Sequence, residues 1–208
     1  MDGMVLIAAT PLAPPSIAAL AGSVISKISG VILAHIGKSV TSATHLILPG
    51  VGAFDAAMSI VEKRQLRPLL AQHAVVNAKP LLGVCLGMQL LFEGSAEGQQ
   101  KGLGFLSGRS VALPSDPNRG LKSLHVGFSS VSGYGSQGLF DGLDDSSYFY
   151  FTHSYAIKRT NQHGNIGVLH HSEVFVGAFE IENLCGVQFH PEKSQASGLK
   201  LFRNFLRL

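Results

Sequence analysis

Cys85 has Gly83 and Gly87 two residues away on either side, where a short apolar run gives way to helical spacing. A Gly-x-Cys-x-Gly junction between a strand and a helix is the thiol form of a nucleophile elbow. The sharp turn strains the central residue and needs neighbours without Cβ atoms. A helix N-terminus beside the sulfur favours thiolate over thiol. A small buried cysteine between two packing glycines would read the same way. The second informative stretch is Cys185-Gly186-Val187-Gln188-Phe189-His190-Pro191-Glu192-Lys193-Ser194. Residues two apart in an extended segment point the same way, so His190 and Glu192 share a face and Pro191 fixes the backbone between them. Alone, this is also how a strand end with a surface histidine and glutamate reads. With Cys85 it completes a nucleophile, a base and a carboxylate that orients the base.

Side chains so far apart in sequence converge only if a common scaffold carries them. Short apolar strands are expected over residues 4–9, 31–34, 45–48 and 81–84. Ser16 is a candidate N-cap for a helix through Ile17, Leu20, Val24 and Ile28, after a proline-rich loop at residues 10–15. A tight turn, Pro49-Gly50-Val51-Gly52-Ala53-Phe54, opens a helix over 55–78 that Arg67-Pro68 should interrupt. Alternating strand and helix argues for a parallel sheet covered on both faces. The second half differs. Residues 107–128 mix short strands with turns such as 115–118, and the Ser/Gly-rich stretch 129–138 reads as a mobile loop. Residues 147–155 are aromatic and β-prone. Stretches 166–169, 174–180 and 187–189 read as antiparallel strands, and 197–208 as a final helix. The expected architecture is one α/β domain over residues 1–208. It has a central, mostly parallel sheet, helices on both faces and a late antiparallel extension.

Of the 208 residues, 46% are hydrophobic, enough for one sizeable core. No run of eighteen apolar residues suggests a membrane span. The N-terminus lacks the pattern of a secretory signal. Two cysteines make no disulfide framework and point to a reducing compartment, hence the cytoplasm. The net charge of +3 comes without a dense Lys/Arg run or interleaved aromatics, so no nucleic-acid partner is expected. Charged residues make up only 14%, which a permanently covered surface would explain. His170-His171 has no carboxylate or thiol at ligand spacing, so no metal is expected. Asp144-Asp145 reads as a solvated turn and Cys185 as structural. Gly50-Val51-Gly52 is not followed by a phosphate-loop pattern.

The chain resembles the class I (triad) glutamine amidotransferases, and within them the glutaminase subunits of imidazole glycerol phosphate synthases. The matching segments are Leu48-Pro49-Gly50-Val51-Gly52-Ala53-Phe54, Gly83 to Leu91, His125-Val126-Gly127, His153-Ser154-Tyr155 and Gly186 to Ser194. The resemblance implies that Cys85 attacks the carboxamide carbon of glutamine, that His190 carries the proton to departing ammonia, and that Glu192 orients His190. It implies an oxyanion hole at Leu86 and the Val51-Gly52 turn, with Gly52 free to let that peptide approach or rotate. Gln89 and Glu97 fall at positions holding the substrate's amino-acid end, and His153, Ser154 and Tyr155 near its carboxylate. Otherwise Gln89 and Glu97 read as an exposed helix residue and a loop glutamate, and the other three as ordinary strand residues. Phe128, Tyr150 and Lys193 fall at the partner interface and ammonia gate, or are ordinary surface and packing residues. The implied partner is a (β/α)8-barrel cyclase in a heterodimer, without metal or organic cofactor.

Two departures from the family pattern stand out. The family's Asp-Tyr-Gly-x-Gly-Asn after the first strand is replaced by Ala8-Ala9-Thr10-Pro11-Leu12-Ala13-Pro14. Its Pro-His-Val-Gly-Trp-Asn becomes Leu124-His125-Val126-Gly127-Phe128-Ser129, where Phe128 has less area than Trp and no indole N–H. A triad glutaminase serving another synthase, and a scaffold subunit with an idle triad, are the alternatives.

Overall fold

The computed structural model describes residues 4–6, 31–33, 40, 43–115, 123–158 and 163–208. The helix expected after Ser16, the loop at 10–15, the departure at 8–14 and most of the 115–118 turn lie outside these residues. Among them, β1 (Met4–Leu6), β2 (Val31–Leu33), β3 (His45–Gly50), β4 (Leu81–Cys85) and β12 (Leu184–Val187) run parallel in one sheet. β11 (Glu173–Ile181) and β10 (Asn165–His171) extend it antiparallel, giving the order β10-β11-β12-β4-β3-β1-β2. Beyond His45, the central strands β3 and β4 are apolar and buried, as a sheet covered on both faces requires. Alternation splits β3: Leu46 and Leu48 face one core and Ile47 the other. Helix α1 (Phe54–Lys63) covers the first face with Phe54, Met58 and Val61. Helix α4 (Gln195–Phe205) covers the second with Leu201, Phe202 and Phe205. The mostly parallel sheet, its antiparallel extension and helices on both faces match the expectation.

Several boundaries differ from it, by one to three residues at β10, β11 and α4, and four further places depart from it. The long helix breaks at Gln65, where φ is 53°, before α2 (Leu66–Ala71) begins. This puts Pro68 in the first turn of α2, where its missing N–H has no helical acceptor to lose. The stretch 129–138 is not wholly loop. Ser129 and Ser130 belong to β7 (His125–Ser130), Val131 is fully buried, and Ser132 exchanges backbone hydrogen bonds with Val168 at 3.0 and 2.7 Å. The strand expected at 187–189 is Leu184–Val187, antiparallel to β11 but parallel to β4, so Phe189 falls beyond it. Finally, the helix after Cys85 is short: α3 spans Leu86–Leu90. The carbonyls of Leu90 and Leu91 are taken by the N–H groups of Leu103 and Phe105, at 2.7 and 2.9 Å, and β5 (Phe92–Ser95) follows at once.

Outside the main sheet, β7 pairs antiparallel with β8 (Tyr148–His153). A three-stranded sheet joins β5, β6 (Leu106–Ala112) and β9 (Tyr155–Ile157).

The β4–α3 junction leaves no room for side chains at its glycines. A Cβ on Gly87 would collide with the backbone carbonyl of Leu48 on β3. A Cβ on Gly83 would lie 2.6 Å from the Met88 Cα, and one on Gly50 2.8 Å from the Gly87 nitrogen. We expect Gly87→Ala to lose several kcal/mol of stability, the range for forced overpacking against backbone (~1–3 kcal/mol or more). Gly104→Ala is the comparison, because φ there is +70° with nothing within 4 Å of the new Cβ. It should lose only the roughly 1–2 kcal/mol of a left-handed alanine. Urea unfolding of both variants measures the difference.

Candidate active site

Cys85 ends β4 with φ 54° and ψ −114°, a conformation that L side chains rarely adopt. The strained turn aims the thiol out of the sheet's carboxyl edge, into a cavity of about 480 Å³. Parallel sheets bind ligands at that edge, and the volume suits a small molecule. Val51, Gly52, Leu86, Gln89, Glu97, His153, Ser154, Tyr155, His190 and Lys193 all line this cavity. The structure therefore brings together ten sequence-predicted or turn residues around Cys85, drawn from five separate segments.

Behind the cavity wall, His190 Nδ1 lies 2.7 Å from Glu192 Oε1, both side chains largely buried. The expected i, i+2 pairing is present, although Pro191–Lys193 forms a 3-10 turn rather than extended strand. The other ring nitrogen, Nε2, is buried and has no hydrogen-bond partner among the described residues. Cys85 and His190 line the same cavity. Burial alone pulls the His190 pKa down, and Cys85 and Glu192 together outweigh it and raise the pKa. A ring held between a sulfur and a carboxylate can take a proton from one side while the other stays fixed.

The brace behind His190 is a residue that motif reading passed over. The hydroxyl of Ser194 donates to the His190 carbonyl at 2.6 Å and accepts the Tyr150 N–H at 3.0 Å. His190 N–H in turn donates to the Tyr150 carbonyl at 2.8 Å. Phe189 stacks on Phe149 with centroids 4.0 Å apart and meets Phe151 edge-on, so inward side chains of β8 fix the same turn from the core.

Gln188 was also missed. It is fully buried, with Nε2 3.7 Å from Cys85 Sγ and Oε1 accepting from Gln89 Nε2 at 3.0 Å. Its position two residues before His190, at strand spacing, was the available signal. Gln89 is buried rather than exposed, and its Nε2 also donates to the Tyr155 carbonyl at 2.9 Å. With both N–H groups engaged, its oxygen is left to accept from a ligand. Glu97 does double work: its Oε2 accepts the N–H of Phe54, the first residue of α1, at 3.0 Å. It replaces the missing side-chain cap at Ala53. Gly52, with φ +94° and open space around it, and Leu86, whose N–H begins α3, both line the cavity with Cys85. Gly50 pairs in register with Cys85, which holds the two turns side by side.

At the mouth, the Lys193 Nζ sits 5.3 Å above the Tyr150 ring, and Phe128 meets that ring edge-on at 5.5 Å. Phe128 is 50% exposed, with Val126 at 55%, Leu124 at 48% and Tyr148 at 57%. His171 stacks on His125 rather than standing in a ligand set. Asp144 caps its own turn through Ser146, and Cys185 is a buried strand residue whose thiol burial pushes up in pKa.

A family profile described as glutamine amidotransferase class-I matches residues 31–208. The chain belongs to the class I glutamine amidotransferases. This amidotransferase is 43% identical over 169 residues to imidazole glycerol phosphate synthase subunit HisH 2 of Vibrio vulnificus (strain YJ016), covering 81% of the chain and 78% of the relative. It is 38% identical over 178 residues to imidazole glycerol phosphate synthase subunit HisH of Aquifex aeolicus (strain VF5), covering 85% and 84%. In fold it resembles PurLQS of Thermotoga maritima, with a TM-score of 0.69 at 14% identity over 100% of this chain and 99% of the other. A glutamine amidotransferase from the same organism has a TM-score of 0.61 at 12% identity, over 100% and 85%.

Two measurements test the amidotransferase's inner wall. Ser194→Ala leaves a buried N–H without its partner, which typically costs about 1–3 kcal/mol, so the urea midpoint should fall while the fold persists. Burial chiefly, together with neighbouring rings, lowers the pKa of His125 to about 4 and of His153 to about 3, from 6.5. The unfolded chain therefore binds more protons at these sites. Their contribution is complete above pH 6.5 and is lost as pH falls through 4 and then 3. Unfolding free energy should begin to decline below pH 6.5, before carboxylates titrate.

Proposed function

We propose that this chain hydrolyses glutamine to glutamate and ammonia and passes the ammonia to a (β/α)8-barrel cyclase. The cyclase uses it to form imidazole glycerol phosphate in histidine biosynthesis, in the cytoplasm. The observation that carries this reading is that Cys85 at the elbow and His190, paired with Glu192, line one cavity. The names of the HisH relatives support the pathway.

Cys85 Sγ attacks the carboxamide carbon, and its proton passes through His190 to the departing ammonia while Glu192 keeps the ring oriented. The thioester is then opened by water that gives its proton to His190, releasing glutamate. The oxyanion is met by the Leu86 N–H and by the turn at Gly52. Such a donor is typically worth roughly 3–4 kcal/mol in the transition state. The Gln89 oxygen and the Glu97 carboxylate receive the substrate ammonium. His153, Ser154 and Tyr155 line the opposite end, for the carboxylate. Neither a metal nor an organic cofactor takes part in these steps.

The cyclase docks on the outer face of β7 and β8. Leu124, Val126 and Phe128 alternate outward there beside Tyr148 and Tyr150, a contiguous apolar strip at the cavity mouth. Lys193 and Tyr150 stand where ammonia must leave, and Phe128 is the aromatic anchor.

Cys85→Ala should abolish glutamine-dependent product formation by the complex and leave the ammonium-dependent reaction of the cyclase intact. Glutamate release and cyclase product are measured in parallel. Glutamine-dependent turnover by the alanine variant would remove Cys85 as nucleophile. Turnover by the parent without a barrel cyclase in the complex would point to a different synthase.

A further inference from the structure

Two buried histidines are bonded to each other at the cavity wall: His153 lines the cavity and His125, which has no part in the chemistry above, stands behind it. His153 Nδ1 lies 2.9 Å from the Tyr155 carbonyl. A carbonyl can only accept, so this nitrogen carries the proton. His153 Nε2 is then an acceptor, and 3.2 Å away is Nδ1 of His125. That nitrogen must donate, which leaves His125 Nε2 to accept the Ser129 hydroxyl at 2.9 Å. One carbonyl thus dictates both tautomers, and the chain has a single direction: Ser129 to His125 to His153 to Tyr155. Burial keeps both rings neutral at neutral pH, as that direction requires.

The end of the chain is in the substrate cavity. The same Tyr155 carbonyl accepts from Gln89, so two donors from opposite sides hold the bend at Ser154 between β8 and β9. His125 itself does not line the cavity. Its ring is clamped between Phe151 at 4.8 Å and His171 at 4.6 Å, both nearly parallel to it. The two stacking partners fix the plane of the ring, in which its Nδ1 meets His153.

We propose that His125 is a positioning residue for glutamine binding: its Nδ1–H fixes the His153 tautomer that holds the Tyr155 carbonyl and, through it, the Ser154 bend and Gln89. The inference rests on the reading of this cavity as a glutamine site. It concerns ground-state binding more than the thiol chemistry, because Ser129, His125, His153 and Tyr155 make no hydrogen bond of their own to Cys85, His190 or Glu192 and reach the sulfur only through Gln89 and Gln188.

The test uses two substitutions in the complex with the cyclase. His125→Phe keeps a flat ring in the stack and removes both nitrogens. His125→Asn places an amide nitrogen close to the former Nδ1 and restores the donor. An unsatisfied buried acceptor should raise KM for glutamine about tenfold or more in His125→Phe, with kcat within about threefold. His125→Asn should return KM to within about threefold of the parent. Unchanged KM in the phenylalanine variant, a fall confined to kcat, or failure of asparagine to rescue would each overturn the proposal. Nitrogen-15 NMR of the His153 ring supplies a readout independent of turnover. The Nδ1-protonated tautomer is expected in the parent and the asparagine variant, with a mixture in the phenylalanine variant. An Nε2-protonated ring in the parent ends the proposal without reference to activity. If instead the parent shows the expected tautomer but releases no glutamate from glutamine, the functional reading fails and the hydrogen-bond chain stands.

Discussion

The arrangement depends on how closely the backbone of β3 approaches the start of α3. Because Gly87 packs directly on the Leu48 carbonyl, and Gly83 on the backbone of Met88, the chain turns from strand to helix within a single residue. That residue is Cys85, held at positive φ. Strain of this kind persists only where surrounding packing over-determines it, and here three glycines and two buried strands do so. The benefit is positional: a thiol raised above a sheet edge, with a backbone N–H beside it and the Gly50–Gly52 turn alongside.

The partner groups are held by a different device. His190 is not in regular secondary structure, yet it is as firmly placed as Cys85. Its N–H and carbonyl are bonded to Tyr150 and Ser194, its neighbour Phe189 is stacked on Phe149, and its ring is paired with Glu192. Buried polar groups in such a network rigidify it only when their partners are met. Gln188 extends the buried contacts from Phe189 and His190 to Gln89 and the Cys85 sulfur.

Much of this was legible in the residues themselves. Apolar runs of the right length marked the central strands, and the glycine spacing at Cys85 marked the elbow, because both are local constraints. The pairing of His190 with Glu192 was expected from extended spacing taken together with Cys85, and it is met although the backbone turns at Pro191–Lys193. What could not be read was what depends on distant partners. Glu97 as the cap of α1, Ser194 as a brace and Gln188 beside the sulfur become visible only when segments 40 to 100 residues apart meet. The short α3 is of the same kind. Its spacing promised more turns, but residues 102–105 take its terminal carbonyls. The Ser/Gly-rich stretch misled because composition reports turn preference, while burial of Val131 and the Ser132–Val168 pairing decided the outcome.

Strand β8 faces two ways at once. Its backbone anchors His190 and its inward phenylalanines fill the core, while Tyr148 and Tyr150 look outward. The bonds that β8 itself gives the His190 turn come from the main-chain N–H and carbonyl of Tyr150, which every amino acid supplies. A change of the outward side chains on this strand would therefore leave those bonds in place.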